Sequence, residues 1–217
     1  MTQETAQLRT RLAARIDAIR PLDQAAMDAA RARQQILTKP AGSLGRLEEL
    51  SIQLAGILGT PAYTLRHKVI TVMAGDHGVV DAGVSAFPQA VTGQMVANFV
   101  EGGAAMTRAQ ALRALDNGAA VVEAECARGL DILGTGEMGI GNTTAATAIA
   151  AALTGRDPAQ LAGRGTGVDD AGLARKIAAV QRGLAVNRPD PADALDVLAK
   201  VGGFEIGGLA GAMLAAA

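Results

Sequence analysis

The chain has 217 residues, a formal net charge of −1 and only 2% aromatic side chains. That balance argues against a nucleic-acid surface, which needs a basic patch and rings on which bases can stack. A single cysteine, Cys126, excludes a disulfide framework and suits a reducing cytoplasm, and no apolar run is long enough to span a bilayer.

In chain order, Leu8, Leu12, Ile16 and Ile19 form one helical stripe and Leu47, Leu50, Leu54 and Ile57 a second, which predicts a small helical subdomain over 1–60. Between them Lys39-Pro40-Ala41-Gly42-Ser43 breaks the pattern, with Ser43 expected to cap the next helix and Gly59-Thr60-Pro61 to end it. From Lys68 the texture changes. Val69-Ile70-Thr71-Val72-Met73-Ala74 is apolar and β-branched without alternation, the pattern of a strand buried on both faces. It runs into Gly75-Asp76-His77-Gly78-Val79.

A helix is predicted from Pro88 to Val100, then a longer one with Leu112, Leu115, Ala119, Val122 and Cys126 on its core face. A second apolar run, Leu130 to Leu133, leads into a predicted loop with glycines at 134, 136, 139 and 141. An Ala/Thr-rich helix follows, with Asn142, Thr143 and Thr144 placed to cap its first turn. Further helices are expected at about 171–186 and 191–200, and a Gly/Ala-rich segment from Phe204 to Ala217 closes the chain. The fold class is α/β, a Rossmann-like parallel sheet flanked by helices over 61–217. Two segments read as central parallel strands, which need neighbours on both sides, so the sheet is expected to be incomplete.

A strand, a glycine loop and a helix N-terminus make an anion site, because close-approaching amides and the helix dipole favour a phosphate. Gly134-Thr135-Gly136-Glu137-Met138-Gly139 fits G-x-G-x-x-G, but no strand precedes Asp157, the acidic residue at dinucleotide spacing, and no Gly-Lys-Ser/Thr makes a Walker loop. The remaining readings are a phosphate site with polar Glu137, Asn142 and Thr143, or a glycine turn that only lets helix and strand pack. Asp76 and His77 follow a strand, where α/β proteins place ligand groups, or else form a turn in which Asp76 bonds its own backbone. Gly163-Arg164-Gly165-Thr166-Gly167 is a second glycine loop, from which Lys176 is two turns into the next helix and could reach back to a phosphate. Two histidines, of which His67 reads as a solvated surface residue, and one cysteine supply no metal set.

On these residues the sequence resembles the nicotinate-nucleotide–dimethylbenzimidazole phosphoribosyltransferase family. The similarity is carried by Lys39 to Glu48, Gly75 to Val79, Gly83 to Thr92, Gly134 to Thr144, Arg164 to Lys176, and Val201-Gly202-Gly203-Phe204-Glu205, in family order. The resemblance implies transfer of phosphoribosyl from nicotinate mononucleotide to 5,6-dimethylbenzimidazole, giving α-ribazole phosphate and nicotinate, by a cytoplasmic homodimer without cofactor or metal. It implies nucleotide and phosphate contacts at Gly136, Glu137, Gly139, Asn142, Thr143, Gly165 and Lys176. Phe87, Pro88, Gln94 and Met95 match the wall that receives the base. The family glutamate assigned as general base matches no residue of this chain, which leaves Glu137 and Asp76 as substitutes. A strand and loop of the family are also unmatched after Gly102-Gly103-Ala104-Ala105, so the 61–217 domain is expected to be truncated relative to the family. The alternatives are a catalytically impaired nucleotide-binding remnant of the same family and, less consistent with the residues, a nicotinamide-dependent oxidoreductase.

Overall fold

The computed structural model describes residues 3–91 and 107–217. The helix expected from Pro88 to Val100, with Gln94 and Met95 on it, lies outside the described residues beyond Val91. The described residues form two compact units, residues 18–67 and the remainder.

The first helix in the chain is α1 (Gln3–Ala18). The sequence places it in the N-terminal helical subdomain, but up to Asp17 it clusters with the larger unit. Its attachments account for this. Leu8 is buried, Leu12 packs on the core, Arg15 pairs with Asp116 and Glu123, and Arg113 pairs with Glu4. The stripe stops there, and Ile16 and Ile19 are exposed.

The smaller unit is a helix pair, α2 (Gln24–Ile36) and α3 (Arg46–Leu58). Asp23 caps α2 by accepting a bond from the Ala26 amide. Ser43, the expected cap of α3, does not serve: the N-cap is Gly45 at φ +52 with no side-chain bond. The turn requires a left-handed residue there, and glycine adopts it without strain. The helix ends at Gly59, as its position predicts, in the left-handed conformation. Its buried face is Ala55 and Gly56, while Leu47, Leu50 and Ile57 of the predicted stripe are exposed.

The larger unit is built on β1 (Lys68–Ala74) and β2 (Ile132–Met138), a parallel pair in register from Lys68 opposite Ile132 to Ala74 opposite Met138. Two expectations are corrected here. Gly134 and Gly136 lie within β2 and not in a loop, because the β1 backbone offers them a hydrogen-bonding partner. Gly134 sits against Ile70, whose Cγ1 would be 3.1 Å from a Cβ at that position. β1 is also not buried on both faces: Thr71 is buried, but Ile70 and Val72 are 77% and 43% exposed. Only one face of the strand is covered among the described residues.

That cover comes from the final helix α9 (Phe204–Ala216), which packs on both strands and also on α4 (Arg108–Cys126). Thr107 and Gln110 form a reciprocal capping box at the start of α4. Its buried face runs through Ala111, Leu112, Leu115, Gly118, Ala119 and Val122. Cys126, expected on the same face, is exposed; it is the last residue of the helix, one turn beyond Val122. The two helices touch backbone to backbone. A Cβ at Gly118 would fall 1.9 Å from the Gly208 carbonyl oxygen, and one at Gly211 would fall 1.8 Å from that of Leu115. The small-residue composition of α9 is thus a packing requirement.

Around this pair stand α5 (Asn142–Thr154), the single turn α6 (Pro158–Leu161), α7 (Asp170–Asn187) and α8 (Ala194–Val201). Asp169 caps α7 and Asp193 caps α8, each accepting from backbone amides of the first turn.

Candidate functional site

Parallel strands end at one edge, so the segments after β1 and β2 become neighbours there. The Gly75 amide donates to the Met138 carbonyl at 3.0 Å, which continues the ladder one step beyond the strands. Gly139 has no room for a side chain, since a Cβ would lie 2.6 Å from the Gly75 carbonyl oxygen. Gly141, at φ +94, then turns the chain into α5.

Asn142, Thr143 and Thr144 are not caps. Gly141 occupies the N-cap without a side-chain bond, and the three polar residues, released from that duty, point elsewhere. Asn142 donates its Nδ2 to Glu205 Oε1 at 2.8 Å, and His77 Nε2 meets the same oxygen at 2.6 Å. All three are buried, Glu205 to 1% exposure. Burial alone would push the Glu205 carboxyl up, but the His77 and Asn142 bonds outweigh it and hold the group below the usual carboxylate range. Its Oε2 has no hydrogen-bond partner among the described residues. The cluster joins the turn after β1, the start of α5 and the start of α9.

Glu137 lies exposed near the end of β2. Partial desolvation and the Glu205 charge raise its carboxyl above the ordinary value, against a smaller opposing influence of His77.

Lys176 is 2% exposed, yet no carboxylate pairs with it among the described residues. Its Nζ donates to Thr143 Oγ1 at 2.7 Å and to the Gly163 carbonyl at 3.0 Å. Burial pushes the ammonium down from its ordinary value. Gly165, left-handed at φ +57, lies directly against this head group: a Cβ there would be 2.9 Å from Nζ and 2.8 Å from Thr143 Oγ1. The 163–167 loop is held by Arg164, which donates to the Val168 carbonyl and pairs with Asp170. Thr166 also binds Ser85 and the Ala86 amide, so this loop and the segment leading to Phe87 are tied together.

The structure therefore brings Thr143, Gly165 and Lys176 together, and sets Gly139 and Asn142 beside the His77–Glu205 pair. Gly136 lies inside β2 opposite Val72. Phe87 and Pro88 are exposed at the end of the tied segment. Asp76 follows β1 with Oδ1 buried and without a partner among the described residues. His67 is exposed, as its charged neighbours predict. In the sequence Glu205 stands only as the end of the Val201–Glu205 block; its local signal is Gly203, where a Cβ would lie 2.6 Å from Glu205 Oε2.

A buried ammonium bonded to Thr143 in the first turn of α5 suits a phosphate monoester, and a carboxyl with a raised pKa suits proton transfer. A family model described as phosphoribosyltransferase matches residues 19–106 and 103–217. The chain is 50% identical over 245 residues to the nicotinate-nucleotide–dimethylbenzimidazole phosphoribosyltransferase of Roseiflexus sp. (strain RS-1), covering 92% of this chain and 69% of that protein. It is 45% identical to the Pseudomonas putida protein of the same name, covering 93% and 70%. Among solved structures it is similar to CobT from Thermus thermophilus, with TM-score 0.80 and 38% identity over 88% of this chain and 71% of that one. A second structure, of the phosphoribosyltransferase from the same organism, has TM-score 0.78 and 37% identity over 89% of this chain and 71% of that one.

Proposed function

Since the chain belongs to the phosphoribosyltransferase family matched over both of its halves, we propose that it transfers phosphoribosyl from nicotinate mononucleotide to 5,6-dimethylbenzimidazole, giving α-ribazole 5′-phosphate and nicotinate. The observation that carries the reading is Lys176, a buried ammonium without a carboxylate partner among the described residues. An uncompensated buried charge is costly, and a bound phosphate removes the cost.

In this reading Lys176 and Thr143 hold the phosphate, and Gly165 leaves room for it. The start of α5 adds backbone donors, and Gly139 and Asn142 line the ribose side. Phe87, Pro88, Gln94 and Met95 are the residues that receive the incoming base in this reading. The azole nitrogen bonds to the anomeric carbon from the face opposite the leaving group. The bond to the pyridinium nitrogen breaks, and nicotinate leaves with the bonding pair. The azole N–H proton passes to Glu137, whose raised carboxyl lies closer to the pH at which a base works well. The reaction needs no metal, because the pyridinium is already an activated leaving group.

The reading extends to a homodimer in the cytoplasm. Exposed Leu47, Leu50 and Ile57 on one helix support association, and sedimentation of the purified chain tests it. The function itself is tested by nicotinate release. Release that requires both substrates supports it, whereas nucleotide binding without release is the behaviour of a non-catalytic remnant.

A further inference from the structure

A cavity of about 240 Å³ lies between α5, α7 and the segment joining α8 to α9, and Lys176 is not part of its lining. Ala148 and Val180 contribute to its apolar wall, and Asp76, His77 and Thr144 form its polar side. Neither Lys176 nor Gly165 lines it. Thr143 and Thr144 diverge at the start of α5, the first toward Lys176 and the second toward this cavity.

Two of its lining residues carry unspent hydrogen-bonding capacity. Thr144 is 2% exposed and its Oγ1 has no partner among the described residues; Asp76 Oδ1 is buried and likewise without one. Buried polar atoms are seldom left unpaired, so such atoms beside a cavity point to an occupant. Their chemistry restricts it. A carboxylate oxygen accepts, and a hydroxyl can donate. The nearby cation, Lys200, is spent on Asp196 and the Arg188 carbonyl, so no free cation lines the cavity among the described residues. The size restricts it further. A space of about 240 Å³ is enough for one fused ring.

We propose that this cavity is a second ligand site, taking a neutral planar heteroaromatic whose ring N–H donates to Asp76 and whose ring nitrogen accepts from the Thr144 hydroxyl. The imidazole of His77, fixed by Glu205, forms part of the same wall and keeps it in shape. The site is independent of the base wall at Phe87.

Calorimetric titration of the full chain with benzimidazole tests this. The expected stoichiometry is two per chain, one weakened by Phe87→Ala and the other by changes at the cavity. Thr144→Val keeps the shape and removes the donor, and should weaken the second site about tenfold. Ala148→Leu fills the space and should abolish it. A single site in the wild type that Phe87→Ala weakens, or a second site that survives both Thr144→Val and Ala148→Leu, overturns the proposal and leaves water as the occupant. A single site that responds to Thr144→Val and Ala148→Leu but not to Phe87→Ala would instead count against the base wall of the proposed reaction, with the cavity site standing.

Discussion

Replacing Lys176 by methionine should move stability and binding in opposite directions. The ammonium is 2% exposed and lacks a carboxylate partner among the described residues, so the free protein bears its desolvation. Methionine has a similar unbranched shape and no charge. The two groups left behind, the Thr143 hydroxyl and the Gly163 carbonyl, belong to exposed residues and can turn to water. The free variant should therefore be as stable as the wild type or more so, by about 1–2 kcal/mol. Nicotinate mononucleotide, however, loses a charge-assisted bond of about 1.5–3 kcal/mol, roughly 10- to 150-fold in affinity. The pH dependence has a definite sign. The folded pKa is below the unfolded one, so between the two the unfolded chain holds more protons and wild-type stability rises with pH up to the ordinary lysine range. Below the folded pKa the full desolvation penalty remains. The methionine variant should lack this alkaline rise. Denaturant melts with and without the nucleotide, from neutral pH to about pH 10, measure all three effects. A variant that is less stable by more than about 1 kcal/mol yet binds the nucleotide as tightly as the wild type would refute the reasoning.

Glu205→Leu should destabilise by about 3 kcal/mol in a urea melt, because it leaves buried His77 and Asn142 without their shared acceptor. Gly118→Ala should cost about 3 kcal/mol or more, since its methyl would meet rigid backbone 1.9 Å away; a loss below about 0.5 kcal/mol would mean that α4 and α9 separate freely. In the nicotinate-release assay, the wild-type rate should fall with acid through a pKa above the ordinary carboxylate range, as Glu137 becomes protonated, and Glu137→Gln should remove that limb. Cys126 should react with a thiol reagent in native buffer as readily as after unfolding, whereas a core cysteine would be protected.

Much of the scaffold is legible in the sequence because local chemistry decides it. The β-branched run from Val69 to Val72 specifies a strand, and Asp169 before a periodic segment specifies the start of α7. Helix spacing alone carries Lys176 back over the second glycine loop, where the structure also has it. Long-range partners decide the rest. Gly134 and Gly136 read as loop until β1 pairs with them, and Ser43 is a better cap than Gly45 until the turn demands positive φ. No local pattern assigns Glu205 to His77 and Asn142, which are 128 and 63 residues away.

Those separations also bear on the order in which the protein can acquire its function. The turn after β1 and the first residue of α5 are oriented by a carboxylate made long after both, near the start of α9. A chain emerging from the ribosome can pair its two strands and form α5 before residue 205 exists, but contacts of such sequence separation close late. The nucleotide recess should therefore mature only when α9 seats against α4, and ligand affinity measured during refolding should lag behind the recovery of helix.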